Sequence, residues 1–189
     1  MASAKENFLA YQLDRITILI VEDSKPMMEI LKALLQTFGA KNILTATDGA
    51  AGYDLFRQHN PDIVIADWMM DPIDGIKMCE WVRTRSDSPN RFVPFILMTG
   101  YSERKRVFKA RDTGITEFLV KPFTAQDLYK RIYQVVERPR QFVDAGSFFG
   151  PDRRRTSTTY TGPDRRGRRP DDRTLPKPTS FSADDIDFA

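Results

Sequence analysis

Residues 63–66 read Ile-Val-Ile-Ala, bracketed by Asp62 and Asp67. A run this short and wholly apolar, entered from Pro61 and a turn-prone aspartate, predicts a strand buried on both faces. Strands of that kind belong to parallel sheets with helices over both faces. Asp67 then stands at the strand's carboxyl end, the edge on which open α/β sheets build their sites. An isolated Asp there reads most simply as a turn former or helix cap. Asp67 is not isolated.

The same pattern recurs along the chain. Thr17 to Val21 is a buried-strand run ending at Glu22-Asp23-Ser24. Pro26 fits the first turn of a helix, in which Met27, Ile30, Leu31, Leu34 and Leu35 recur at helical spacing until Gly39. Asn42 to Ala46 predicts a strand, Asp48-Gly49 a turn, and Ala50 to Gln58 a helix burying Leu55 and Phe56. Ile76 to Thr84 reads as a helix, followed by a loop over Ser86 to Asn90. Phe92 to Met98 is the fourth apolar run, with Thr99-Gly100 at its end, and Glu103 to Thr113 predicts a helix stopped by Gly114. Glu117 to Val120 is a fifth strand and delivers Lys121-Pro122. Thr124 then caps a last helix to about Glu137, with Leu128, Ile132, Val135 and Val136 on its buried face. Strand and helix alternating in this way predict an α/β fold, a five-stranded doubly wound parallel sheet.

Residues 1–15 read as an N-terminal extension anchored by Phe8, Leu9 and Tyr11, residues 16–138 as the folded domain, and residues 139–189 as an intrinsically disordered tail. The 189-residue chain, 41% hydrophobic and 29% charged, suffices for one good core. A single cysteine, Cys79, rules out an internal disulfide framework and fits a reducing compartment. No stretch approaches the ~18 apolar residues of a membrane span, so a cytoplasmic protein is expected. The net charge of +3 is unevenly spread. Residues 150–169 hold seven Arg against two Asp, while Asp184, Asp185 and Asp187 crowd the far end.

Collected by position, Glu22 and Asp23 follow the first strand, Asp67 the third, Thr99 the fourth and Lys121 the fifth, so all five converge on one sheet edge. Crowded carboxylates raise one another's pKa unless a hard cation neutralises them, and oxygen ligands of this type suit Mg²⁺. Metal, Lys and hydroxyl beside a nucleophilic carboxylate are equipment for phosphoryl transfer.

Those residues resemble the receiver domain of two-component response regulators, as in the CheY-like chemotaxis regulators. The resemblance rests on the acidic pair Glu22-Asp23, on Asp67, on Asp74-Gly75, on Thr99 and on Lys121-Pro122-Phe123. It implies a flavodoxin-like fold and a phosphoacceptor, Asp67, charged by a histidine kinase or phosphotransfer protein; the chain itself is expected not to be an enzyme. It further implies Mg²⁺ bound by Asp23, Asp67 and the backbone carbonyl of Met69 with Glu22 beside them, Lys121 paired to the phosphoryl group, and a switch in which Thr99 and Phe118 move. The sequence departs from the family's usual Met-Pro after the acceptor: Met70 is followed by Asp71, and the proline falls at Pro72. The only histidine, His59, is not placed to act as an internal donor.

From Ala145 onward Pro, Gly, Ser, Thr, Asp and Arg dominate and apolar periodicity disappears, so no core forms unaided. A motif repeats there: Phe148-Phe149-Gly150-Pro151-Asp152-Arg153-Arg154 returns twelve residues later as Tyr160-Thr161-Gly162-Pro163-Asp164-Arg165-Arg166. An Arg fork binds the guanine O6/N7 edge or a phosphate, and an Asp accepts from guanine N1 and N2. Two copies fit a ligand with two guanines and two phosphates, cyclic di-GMP, through Phe148, Asp152, Arg153, Arg154, Tyr160, Asp164, Arg165 and Arg166. The repeat also resembles the arginine-rich extension of CheY-like cyclic di-GMP effectors. That likeness implies the flagellar motor switch as partner, with recruitment to the motor or cell pole. Two alternatives stand beside it: a phosphorylation-controlled receiver with a passive tail, and an RNA-binding basic tail. A DNA-binding output domain is not expected.

Overall fold

The structure is a computed structural model that describes residues 13–100, 112–144 and 149–152. Strands β1 (Thr17–Val21), β2 (Asn42–Ala46), β3 (Ile63–Asp67), β4 (Phe95–Gly100) and β5 (Glu117–Lys121) form one sheet in the order β2-β1-β3-β4-β5. Every neighbouring pair in it is parallel. Helices α1 (Lys25–Thr37), α2 (Gly49–His59), α3 (Gly75–Thr84) and α4 (Ala125–Glu137) connect and cover it. The helix expected over Glu103 to Thr113 lies almost wholly outside the described residues.

Both faces of the sheet are covered, which is why its strands read as continuous apolar runs. Ile18, Ile20, Ile63, Ile65, Ile96 and Met98 pack into one cluster with Leu31 and Leu35 of α1 and Leu128 and Ile132 of α4. The residues between them, Leu19, Val21, Val64, Ala66, Phe95 and Leu97, pack with Tyr53 and Phe56 of α2 and Met78 and Val82 of α3. The pleat's period of two thus feeds two cores at once.

Local chemistry sets the ends of the helices. Asp48 accepts from the backbone N–H groups of Ala50 and Ala51 to start α2, and Asp74 accepts from Lys77 to start α3. Thr124 and Asp127 form a reciprocal capping box at α4. Asn60 closes α2 in the left-handed region, at φ 45°.

The structure departs from the sequence reading in several places. Ile30 is 52% exposed; α1 buries Met28, Leu31 and Leu35 instead, a stripe to which the overlapping apolar spacing in this helix also fits. In α2 the fully covered partner of Phe56 is Tyr53, with Leu55 only half-buried. Phe92 precedes the strand rather than opening it, because β4 starts only after Pro94, which has no N–H to give a ladder. Leu13 is completely buried and Asp14 pairs with Lys41, so the folded domain begins before residue 16.

The largest difference is at the other boundary. The domain does not end at 138: β6 (Phe142–Asp144) and β7 (Phe149–Pro151) pair antiparallel, and residues 13–152 belong to one compact unit. The segment lacks the apolar residues for a core of its own, and its phenylalanines pack instead against Phe92 on the domain's surface. Residues 153–189, expected to be disordered, lie outside the described residues. Among the described residues no helix is long and apolar enough to cross a membrane.

Candidate functional site

Parallel pairing brings the ends of four strands to one edge. Asp67 is the last residue of β3 and pairs with Met98 of β4, Thr99 pairs with Val120, and Lys121 closes β5 beside Gly100. Glu22 follows β1 directly, its N–H bonded to the Ala46 carbonyl of β2 at 3.0 Å.

Lys121 is the centre of the arrangement. Its ammonium lies 2.9 Å from Glu22 Oε2 and 2.9 Å from Asp67 Oδ1. Glu22 Oε1 accepts from the Ser24 N–H at 3.2 Å, and Asp67 Oδ1 accepts from the Trp68 N–H at 2.9 Å. Glu22 and Asp67 are buried while Asp23 is exposed, so the cluster has a covered floor and an open side. Burial pushes the Glu22 and Asp67 carboxyls above their ordinary range, against the pull of Lys121. The same burial disfavours the Lys121 charge, but hydrogen bonds to Asp67 and Glu22 overcome it and hold its pKa above the ordinary value.

One carboxylate oxygen from each of Glu22, Asp23 and Asp67 lies within 4.8 Å of the others. With all groups ionised, three carboxylates against one ammonium leave two uncompensated negative charges, the charge a divalent cation supplies. An all-oxygen donor set with one solvent-facing side fits a hard ion such as Mg²⁺ that keeps several waters. Met69, two residues after Asp67, is 56% exposed. Asp71 is exposed and is not one of the three clustered acids.

Gly75 explains the Asp74-Gly75 pair. A Cβ at this position would collide with the Asp67 carbonyl, so α3 approaches the end of β3 this closely only with glycine there. Thr99 is buried, its hydroxyl reaching the Gly100 carbonyl at 3.4 Å. Phe118, opposite Leu97 on the neighbouring strand, is half-buried against the α2/α3 core. Glu22, Asp23, Asp67, Thr99 and Lys121 thus lie at this edge, while Phe118 sits further back along β5.

A family model described as the response regulator receiver domain matches residues 18–133. The chain belongs to the receiver family of response regulators. The chemotaxis protein CheY of Pseudomonas aeruginosa is 34% identical over 121 residues, covering 64% of this chain and 96% of that relative. Chemotaxis protein CheY-3 of Vibrio cholerae is 31% identical over the same length, covering 64% and 92%. Among solved structures, a response regulator receiver domain protein from Clostridium thermocellum superposes with a TM-score of 0.59 at 27% identity, covering 65% of this chain and 95% of that one. Vibrio cholerae CheY4 gives 0.58 at 26%, covering 64% and 98%. Receivers typically hold Mg²⁺ in an acidic pocket, and Glu22, Asp23 and Asp67 form one in this chain.

The receiver match ends before the hairpin. Of the residues expected to bind a dinucleotide, only Asp152 is described: its N–H donates to the Gln141 carbonyl at 2.6 Å. Phe148, Arg153, Arg154, Tyr160, Asp164, Arg165 and Arg166 lie outside the described residues. What the sequence reading missed is the set of receiver residues that meet the first repeat. Phe92 contacts Phe142 and Phe149 edge-on, the Arg91 guanidinium sits 3.6 Å from the Phe149 ring centre, and Arg83 sits 5.0 Å from that of Phe142. The sequence offers only the turn-prone Asp144, Ala145 and Gly146 between Phe142 and Phe149, with no alternating apolar pattern on either side to mark strands.

Proposed function

We propose that this receiver accepts a phosphoryl group on Asp67 and works as a cyclic di-GMP effector, its duplicated arginine motif taking the dinucleotide and its receiver surface docking on a protein partner of the flagellar motor. The observation that carries the phosphoacceptor half is the position of Asp67, at the mouth of the β3 strand between a fixed ammonium and an acidic pair. The donor is a phosphohistidine on a kinase or phosphotransfer protein. A carboxylate oxygen of Asp67 attacks the phosphorus in line; the P–O bond forms as the P–N bond breaks, and the imidazole leaves with the electron pair. Lys121 exchanges its contact with Asp67 for the incoming phosphoryl oxygens, and Thr99 donates its hydroxyl to them. Asp23, Asp67 and the Met69 carbonyl, with Glu22 beside them, would hold Mg²⁺, which would supply further neutralisation of negative charge there. The chain is the acceptor in this chemistry, not an enzyme.

The second-messenger half rests on the motif itself and on where its first copy sits. A passive tether has no reason to fold back, whereas Phe149, Gly150 and Pro151 of the first copy are a strand packed on the receiver. Ligand taken by the motif is thereby coupled to the domain that docks. The likeness to the CheY proteins of Pseudomonas aeruginosa and Vibrio cholerae supports a chemotaxis setting and a motor partner.

Two measurements test the halves separately. Asp67→Asn abolishes Mg²⁺-dependent labelling by a small phosphodonor, and Asp71→Ala preserves it; a labelled Asn variant refutes the acceptor. In calorimetric titration, replacing Arg153 and Arg154, or Arg165 and Arg166, by Ala removes at least two charge-assisted contacts of about 1.5–3 kcal/mol each and weakens cyclic di-GMP binding at least tenfold. Asp152→Ala and Asp164→Ala weaken it too, although each makes the tail more positive. Equal or tighter binding by both Asp variants, with no preference over cyclic di-AMP, leaves only a generic basic tail.

A further inference from the structure

The hairpin's pairing decides which of its side chains face the receiver. Phe149 lies opposite Asp144, two residues from Phe142, so the two phenylalanines share one face as diagonal neighbours, ring centres 5.5 Å apart. Both meet Phe92, at 5.4 and 5.3 Å. The Arg91 guanidinium stacks on Phe149 at 3.6 Å, and buried Arg83 lies near Phe142 at 5.0 Å.

An anchor for a hairpin is expected to bury itself. Phe92 does not: it remains 55% exposed with both neighbouring rings in place, and Arg91 beside it is exposed as well. Among the described residues no carboxylate lies within ion-pair distance of Arg91. An aromatic ring half open to water, next to a guanidinium 3.6 Å above a second ring and without a carboxylate partner among the described residues, is an arrangement that can take a nucleobase and an anion together. The next charged residues along the chain from β7 are Asp152 and the arginines that follow it.

We propose that Arg91 and Phe92 form the receiver's own half of the dinucleotide site, one guanine stacking on Phe92 and a phosphate or the guanine O6/N7 edge meeting Arg91, with Asp152, which directly follows β7, beside them. The inference rests on the cyclic di-GMP reading and adds to it a claim about residues outside the tail. It makes the base stack on the loop that leads into β4, so that the ligand touches the domain directly rather than only a segment tethered to it.

The test is calorimetric titration of the full chain with cyclic di-GMP. Phe92→Leu keeps an apolar anchor for the hairpin and removes the π-face; binding is expected to fall at least about fivefold, the low end for loss of one base–aromatic stack. Phe92→Tyr keeps both and retains wild-type affinity. Arg91→Lys keeps the charge without the planar fork and weakens binding by a similar factor. Phe92→Trp is expected to add a ligand-dependent quenching of fluorescence beyond that of the two native tryptophans, a direct report of stacking that does not depend on hairpin stability. Wild-type binding with unchanged affinity in Phe92→Leu and no added quenching in Phe92→Trp overturns this inference alone. A wild-type chain with no affinity for cyclic di-GMP overturns the second-messenger reading, and this inference with it.

Discussion

Arg83 is 2% exposed and has no carboxylate among its bonds. Its guanidinium spends its donors on three backbone carbonyls: Nε to Gly114 at 3.0 Å, Nη1 to Arg91 at 2.8 Å and Nη2 to Val93 at 2.8 Å. Burial holds its pKa below the ordinary arginine value. Arg83→Met fills the space and strands the three acceptors. Three bonds from a charged donor at about 1.5 kcal/mol each stabilise by about 4 to 5 kcal/mol, and release of the buried charge returns part of that. A net loss of about 2–4 kcal/mol is the expectation. In urea, with a slope of about 2 kcal/mol/M, the unfolding midpoint falls by about 1–2 M. The loop that carries Arg91 and Phe92 loosens with it, so proteolytic cleavage after Arg138 or Arg140 accelerates before global unfolding. A Met variant within 1 kcal/mol of wild type, with unchanged proteolysis, refutes the claim that Arg83 ties this end of the molecule together.

Gly114 has φ +91°, and a Cβ there would come within 2.9 Å of the Phe149 carbonyl and 3.1 Å of Arg83. Gly114→Ala is therefore expected to cost about 1–3 kcal/mol from backbone strain alone and to free the hairpin, seen as faster cleavage near residue 140 with Asp67 labelling retained. The Tyr53 hydroxyl donates to Asp87 at 2.8 Å, and burial followed by that bond pushes its pKa up to about 12. Because the folded state holds the proton longer than the unfolded one, this contribution to stability is complete below about pH 10 and is lost as pH rises toward 12. Tyr53→Phe is expected to flatten the alkaline fall in stability, and an identical pH profile in the variant contradicts it.

The sheet and the acidic edge were legible because their causes are local. Strands covered on both faces must be apolar at every position, and an edge built at strand ends puts its polar residues immediately after those runs, so Glu22, Asp67 and Lys121 could be placed by counting. The hairpin was not legible for the opposite reason. Phe142 and Phe149 stand in a polar segment with no period of their own, and what orders them is Phe92 and Arg91, distant in sequence. The same cause hid Arg83, which as a charged residue in the last turn of α3 reads as a solvated helix end. Ile30 failed through degeneracy: leucines and methionines crowd α1 closely enough that two stripes fit, and only packing against β1 and α4 selects one.

Strand β4 spans the distance between the molecule's two chemical features. Its entry follows directly on the loop of Arg91 and Phe92, and its exit is Thr99 and Gly100 beside the acidic pocket, six residues or about 20 Å apart. The strand is hydrogen-bonded on both sides, by β3 and by β5. Were Asp67 phosphorylated and a ligand held at Arg91, thermodynamic reciprocity would bind the pair: whatever factor the one imposed on the other's equilibrium, it would receive in return. Under the proposed function the two inputs would share one output, neither able to act on the other without being acted on in return.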